Sequence, residues 1–464
     1  MGTNSGRVCG DVSYDIVRRK SSEKSSRVHF IGIGGVSMYS LARLTLLRGA
    51  GVSGSDRADS SRTEELSLLG AKISIGHRAE NVEGADLVVF TAAISDDNPE
   101  LAEARARGIY TVTRAEYLGA LMLEYSSRIG VSGSHGKSTT VAILDAIFSH
   151  AKVDPTVLSG ADLPLGQPFR AGSHGLMIYE ACEYKDSFLR FSPTISVGLN
   201  LELDHTDYFN SLDDISLSFA RALGRAKRFA IINGDDGNLQ KIRPRLKCPT
   251  VTFGSGEQND YRYSITAFKD VGFDFTISRF GSVIGRFSLN IPGVFNLNNA
   301  TAAIVAALEY GIDAESISEA INLYYGIPGR LELIGHRYGR PVYYDYAHHP
   351  TEISASIGAL KIHTGRPLTV VFKPHTFSRT AAFWREFCAS LSLADHAVIT
   401  DIYPAREEPM EGITSLRLAE DIGKKALYST DENLISIIDL HTEGAIVLMG
   451  AGDFGKIKKR ILTT

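Results

Sequence analysis

The sequence predicts an α/β protein of three domains, because the pattern that opens a parallel α/β unit occurs three times along it. In each unit an apolar strand runs into a glycine-containing turn and then into residues of helical spacing. The chain has 464 residues, which at roughly 100–200 per domain fits about three units. A hydrophobic fraction of 44% and a charged fraction of 22% give each an ordinary globular core.

The first unit, over 27–123, opens with Val28-His29-Phe30-Ile31-Gly32-Ile33-Gly34-Gly35 and continues at helical spacing through Met38, Leu41, Ala42 and Leu46. Strands ending at Gly54-Ser55-Asp56 and at Phe90 complete a Rossmann-like domain. Residues 1–26 are polar and Ser-rich, and are expected to form a loosely held lead-in. The second unit, over 124–326, opens with Ile129-Gly130-Val131-Ser132-Gly133 and turns into Gly136-Lys137-Ser138-Thr139-Thr140. This is expected to be a P-loop ATPase-like domain. Its residues 260–292 alternate apolar with polar, which predicts added antiparallel strands. After Ile327-Pro328-Gly329 the pattern restarts, and strands around Val342, Val370, Val398 and Val447 predict a second Rossmann-like unit over 327–464.

The net charge of −4 argues against a nucleic-acid coat or a membrane-surface protein. Cys9, Cys182, Cys248 and Cys388 form no C-x-x-C pair, so neither a zinc site nor a disulfide framework is suggested, as expected in a reducing compartment. No signal-like segment and no apolar run near the ~18 residues of a membrane span are present. The expectation is a soluble cytoplasmic protein with no nucleic-acid partner and no membrane span, its oligomeric state open.

Gly133-Ser134-His135-Gly136-Lys137-Ser138-Thr139 carries the strongest chemical signal. Glycines let backbone N–H groups close around phosphate oxygens, and the helix that follows aims its positive end at them. Lys137, expected at the solvent-facing mouth of the loop, can reach the β- and γ-phosphates, while the Ser138 hydroxyl can ligate Mg²⁺. The usual spacing of the glycines is not met, because Val131 stands where the first belongs. A chance glycine turn is the competing reading, but the strand before and the helix after favour phosphate.

Glu180 ends an apolar strand, which puts its carboxylate at the sheet edge where α/β domains bind ligands, with Glu183 a nearby competitor. His205 follows another strand and by spacing alone reads more readily as a cap or a packed surface residue. Asn296 and Asn299 stand one helical turn apart, suited either to an adenine edge or to capping. Gly32, Gly34 and Gly35, with Ser55 and Asp56, resemble a dinucleotide fingerprint that lacks its third glycine, since Met38 stands there. The same geometry would serve the pyrophosphate of a UDP-sugar. His348, His349, His375 and Arg379 follow strand ends in the third unit and could hold a carboxylate and an amino acid, although a His-His pair before proline is equally a polar loop.

The short phosphate loop resembles that of the Mur ligase family, and similarity runs from about Val28 to Asp453. The segments His29–Gly35, Asp345–Glu352, Pro374–Thr380, Asp401–Glu407 and Gly450–Asp453 resemble the branch that adds the first amino acid. That resemblance implies an ATP-dependent ligase that joins L-alanine to the lactyl carboxylate of UDP-N-acetylmuramate through an acyl phosphate, in peptidoglycan precursor synthesis. It implies ATP and Mg²⁺, with Mn²⁺ also accepted, on Ser138, Glu180 and His205, and catalytic roles for Lys137, Glu180 and His205. It places Arg330 on phosphate, Asp345 on ribose and Asn296 and Asn299 on adenine, and gives the Gly32–Gly35 turn with Ser55 and Asp56 to the UDP-sugar. Other members carry a carbamylated lysine after the histidine; residues 210–216 contain none, in agreement with the alanine-adding branch. Three departures stand out: Cys182 where an aspartate is frequent, Gly329 where a second basic residue is common, and Tyr344 in place of a first aspartate. Two alternatives stay open: a sister branch that transfers a preformed tripeptide to the same sugar nucleotide, and a nicotinamide-dependent oxidoreductase, which leaves Lys137 and the third unit unexplained.

Overall fold

The computed structural model describes residues 14–164, 166–405, 407–451 and 454–462. Residues 1–13 of the lead-in, Arg406, Gly452 and Asp453 therefore lie outside the described residues.

Three sheets follow one another along the chain. The first is fully parallel, in the order Lys72–Ile75, Gly51–Asp56, Arg27–Ile31, Leu87–Phe90, Tyr110–Thr113. Its central strands are buried on both faces, so Val28, Phe30 and Ile31 are fully buried and Leu87–Phe90 is an unbroken apolar run. The order reverses between Arg27–Ile31 and Leu87–Phe90, and the Gly32 turn opens at that switch point.

The segment expected as a loose lead-in contains a helix, Tyr14–Lys20. Val17 is fully buried in the first core, and Lys20 Nζ reaches Asp86 Oδ1 at 3.1 Å. A seven-residue helix with one apolar anchor leaves no periodicity to read.

The second sheet has ten strands. Its parallel centre is Phe229–Asn233, Ile195–Gly198, Ser127–Ser132 and Leu176–Glu180. The expected antiparallel addition is present as Tyr261–Phe268, Phe273–Arg279 and Ser282–Leu289, joined to the same sheet. The third sheet runs Glu332–Arg337, Arg340–Asp345, Ala445–Met449, Leu368–Phe372, His396–Ile399, Ala426–Tyr428, antiparallel only at the first pair.

The first two units share a hydrophobic core. Tyr117, Leu121 and Met122 of the first pack in one cluster with Met177, Tyr179 and Phe219 of the second, whereas the third unit has clusters of its own. The helix Arg114–Leu121 makes this seam, and Gly119 sits against the Arg190 backbone carbonyl, where a Cβ would collide. Alanine normally stabilises a helix relative to glycine. Here Gly119→Ala is expected to do the opposite, by the ~1–3 kcal/mol typical of overpacking, read as a lower urea midpoint at unchanged slope.

Candidate active site

Strand register decides what meets at the edge of the second sheet. Val131 lies beside Glu180, and Ser132 beside Gly198, so the phosphate loop, Glu180 and the segment leading to His205 leave the sheet together. Gly136 has φ +85°, and a Cβ there would collide with the Asn299 amide, so two independent constraints demand glycine. Asn200 clamps the loop from the next strand: its Oδ1 accepts from His135 N at 2.8 Å and its Nδ2 donates to His135 O at 3.1 Å. The helix Lys137–His150 then begins with Ser138 and Thr139 in its first turn.

Lys137 does not stand free at the mouth. Its ammonium curls back onto the Gly133 and Ser134 carbonyls and pairs with Glu183 Oε2 at 3.0 Å. Burial works against that charge, but Glu183 outweighs it and holds the Lys137 pKa above its usual value. Glu183 is itself fully buried; burial would raise its pKa, and Lys137 followed by His205 brings it below the ordinary carboxylate value. His205 Nε2 lies 3.5 Å from Glu183 Oε1. The two glutamates thus divide the work. Glu183 balances the protein's own cations, while Glu180 is held by Ser159 Oγ at 3.2 Å and by the Gly160 N–H, facing the same cavity. His205 has φ +52°, a left-handed conformation uncommon for a residue with a side chain, and its N–H donates to Asp204 Oδ1 at 2.7 Å.

The third sheet presents its C-terminal edge to this one. A cavity of about 470 Å³ lies between them, lined by the phosphate loop, Glu180, His205, Asn296, Asn299, Arg330, Asp345 and His348. Arg330 stacks on Tyr346 at 4.7 Å from the ring centre. Asp345 is buried and accepts from Ser356 Oγ, and burial pushes its pKa up to about 6. Asn299 Nδ2 donates to Asn296 Oδ1 at 3.2 Å, and Asn296 Nδ2 to Pro292 O at 2.8 Å, so the pair braces the loop as well as facing the cavity.

His348, His375 and Arg379 come together. The His348 and His375 rings are 6.2 Å apart, His375 stacks on Tyr403, and Arg379 Nη2 donates to Asp204 Oδ1 at 2.8 Å. Burial pushes both His348 and His375 down to about 4, so both are neutral at pH 7. His349 departs from this group. It caps the helix Pro350–Thr364 and turns its ring toward His135 of the phosphate loop, 4.9 Å away.

Gly32, Gly34, Gly35, Ser55 and Asp56 do not line this cavity. Gly34 N donates to Asp56 Oδ2 at 2.9 Å, and the buried Ser55 hydroxyl donates to Glu100 Oε2 at 2.5 Å. Both side chains organise the turn, leaving its backbone as the surface available to a ligand.

Two of the departures explain each other. Gly329 has φ +74°, and a Cβ there would lie 3.1 Å from the Tyr344 ring. A tyrosine at 344 therefore goes with a glycine at 329. The Cys182 thiol faces the cavity and is pushed up by burial and by Glu183, which leaves it protonated.

Three family models match in order: the Mur ligase family catalytic domain over residues 27–126, the Mur ligase middle domain over 131–307 and the Mur ligase glutamate ligase domain over 329–452. This chain belongs to the Mur ligase family. UDP-N-acetylmuramate–L-alanine ligases of Clostridium acetobutylicum and Caldanaerobacter subterraneus are 39% and 40% identical to this Mur ligase, covering 97% and 95% of it and 100% and 98% of their own lengths. The crystal structure of the UDP-N-acetylmuramate–alanine ligase of Thermotoga maritima superposes with a TM-score of 0.80 at 26% identity, over 94% of this chain and 98% of that one. A murein peptide ligase of Psychrobacter arcticus shares the fold, with a TM-score of 0.70 at 24% identity over 94% and 98%. A nicotinamide oxidoreductase is thereby set aside.

Sequence reasoning missed four charged groups of this Mur ligase. Glu202, Asp204 and Glu352 tie the second unit to the third: Thr351 Oγ1 donates to Glu202 Oε2 at 2.7 Å, and His135 Nδ1 meets Glu352 Oε1 at 3.1 Å. The sequence marks Glu352 only as the last residue of the Asp345–Glu352 segment that carries the family resemblance. The fourth is Arg114, which has neither an ion pair nor a side-chain hydrogen bond among the described residues; burial lowers its pKa, opposed in part by its neighbours Cys182 and Glu180.

Burial opposes a charge on His135, but Glu352 and then Glu202 outweigh it, raising its pKa from 6.5 to about 10. Its contribution to stability is therefore full below about pH 6.5 and lost as pH rises through about 10. The difference in unfolding free energy between wild type and His135→Gln is expected to shrink across that window; a pH-independent difference would remove the charge from His135.

Proposed function

We propose that this Mur ligase forms the amide bond between L-alanine and the lactyl carboxylate of UDP-N-acetylmuramate, using ATP, in the cytoplasmic synthesis of peptidoglycan precursor. The observation that carries this reading is the meeting of two sheet edges on one cavity. One edge supplies Lys137, Glu180 and His205, and the other supplies Arg330, Asp345 and His348, with Arg379 paired to Asp204 of the lining. The chain-long identity to alanine-adding relatives supports alanine over a preformed tripeptide.

The carboxylate is a poor acyl donor because its leaving group would be oxide. Transfer of the γ-phosphoryl group gives an acyl phosphate, which the alanine amine attacks; collapse of the tetrahedral adduct releases phosphate. Phosphoryl transfer needs mainly positioning and charge neutralisation. In this reading the loop N–H groups and Lys137 hold the β- and γ-phosphates, with phosphate oxygens taking the place of Glu183 beside the ammonium. Glu180, cradled by Gly160 and Ser159, and the Ser138 hydroxyl offer hard oxygen donors suited to Mg²⁺, with His205 a further donor. Bound there, Mg²⁺ would neutralise charge on the phosphate oxygens. Arg379 and the neutral His348 and His375 flank the amino-acid end, and the Gly32–Gly35 backbone holds the UDP pyrophosphate. Closure of the third unit keeps water from the acyl phosphate.

Phosphate release from ATP, tested with UDP-N-acetylmuramate and each common amino acid or the tripeptide, is expected to depend on alanine. Tripeptide-dependent release with none for alanine would overturn the assignment. Lys137→Ala is expected to abolish turnover while the protein stays folded by circular dichroism.

Arg330→Ala is expected to raise the ATP KM by about one to two orders of magnitude, since a lost charge-assisted contact costs roughly 1.5–3 kcal/mol. UDP-N-acetylmuramate affinity, measured by calorimetry without ATP, is expected to stay the same. A collapse of sugar-nucleotide affinity at constant ATP KM would move Arg330 to the sugar end.

A further inference from the structure

A second metal-capable cluster lies beside the phosphate loop and uses none of Ser138, Glu180 or His205. It consists of His135 from the loop, Glu202 from the segment after Ile195–Gly198, and His349 at the start of the helix Pro350–Thr364. One donor atom from each lies within 4.8 Å of the others. His135 Nε2 is 3.6 Å from Glu202 Oε2; His349 Nδ1, which also accepts from the Thr351 N–H at 3.4 Å, is 3.9 Å from the same oxygen, so binding through it gives up that capping bond.

The nitrogens point to a ligand by a separate route. His135 Nε2 and His349 Nε2 are both buried without a hydrogen-bond partner, and His349 is only 4% exposed. An unsatisfied buried polar atom costs free energy, so two in neighbouring rings call for an explanation. His135 Nδ1 faces Glu352 Oε1 at 3.1 Å, an arrangement in which Nδ1–H donates to the carboxylate and Nε2, once an incoming cation displaces its proton, offers the lone pair. Carboxylate–histidine pairs orient metal-binding imidazoles in this way.

Two imidazoles and a carboxylate are the donor set of a three-ligand zinc site with an open fourth position. They are a poor set for Mg²⁺, which demands oxygens. Bonds of about 2.0–2.2 Å place tetrahedral donors roughly 3.3–3.6 Å apart, so small side-chain rotations bring the three to bonding distance. The two carboxylates that favour a proton on His135 favour a dication there more strongly, and the ion would displace that proton. The cysteine spacing could not reveal this cluster, because no cysteine takes part.

We propose that His135, Glu202 and His349 bind Zn²⁺, and that the bound ion staples the phosphate loop to the third domain. His135 and Glu202 belong to the second sheet's edge and His349 to the third unit, so the ion ties one side of the cavity to the other. The site shares no residue with Ser138, Glu180 and His205, the donors proposed for the Mg²⁺ that accompanies ATP.

The test is calorimetric titration of the full chain with Zn²⁺, without nucleotide or Mg²⁺, alongside a thermal melt. One site is expected, with Zn²⁺ raising the melting temperature. His349→Ala and Glu202→Gln are each expected to weaken binding about tenfold or more and to remove the thermal shift, whereas His205→Ala leaves both unchanged. Glu202→Gln keeps its volume and carries the test if His349→Ala fails to fold. Lack of saturable binding at roughly 100 µM free Zn²⁺ would overturn the proposal. So would binding that survives both substitutions, or binding lost in His205→Ala, which would put the ion at Glu180. No substrate enters the experiment, so its failure leaves the ligase reading standing.

Discussion

A lysine that is to grip phosphate in a largely enclosed loop carries a charge that must be balanced at all times. Here the balance comes from Glu183, fully buried between Lys137 and His205. Removing one partner from such a pair leaves an uncompensated buried charge, at a cost of about 3–5 kcal/mol. The neighbouring features follow from that. Glu180 is pinned by Ser159 and Gly160 and stays apart from the pair, His205 takes a left-handed backbone that keeps its ring near Glu183, and Asn299 presses on Gly136 from behind. On the proposed reading, incoming phosphate oxygens would exchange one anionic partner of Lys137 for another and would not have to create the charge balance from nothing.

The second such balance lies across the domain boundary. Asp204 and Arg379 are both largely buried and pair at 2.8 Å, and Arg379 holds the Asp204 carboxyl well below its usual range against the opposing effect of burial. Asp204 is the residue before His205, so one short segment joins His205 to Arg379 of the third unit. The shared core of the first two units and the separate cores of the third make this seam the natural place for movement.

The three α/β units, the phosphate loop and the antiparallel addition were legible in the sequence because each rests on local periodicity or on a turn that only glycine permits. Strand ends alone put Lys137 and Glu180 on one edge, whereas His205 joined them only through the family resemblance, since its spacing reads more readily as a cap. Partner choice was not legible. Whether Lys137 meets Glu180 or Glu183 depends on how the chain turns after Glu180, where Lys185 and Asp186 both adopt positive φ. His349 was grouped with His348, but a capping residue at the start of a helix points away from its neighbour, and the direction is set by the facing domain. Arg114 sits in a helix of the first unit, and nothing in its local sequence marks it as unpaired. Gly329 and Tyr344 looked like two weaknesses when read one at a time; their contact is visible only once strand Arg340–Asp345 lies beside the Gly329 turn.

Arg330 and Asp345 flank one hairpin. Strands Glu332–Arg337 and Arg340–Asp345 pair antiparallel with Glu332 opposite Tyr344, Gly329 N donates to Glu332 Oε2 at 2.8 Å, and Tyr346 N donates to Gly329 O at 2.9 Å. Those ties make the two residues the prongs of a single stiff fork. Any rotation of the third unit would turn both backbones through the same angle, so the two residues proposed for the nucleotide would arrive at the cavity as one piece.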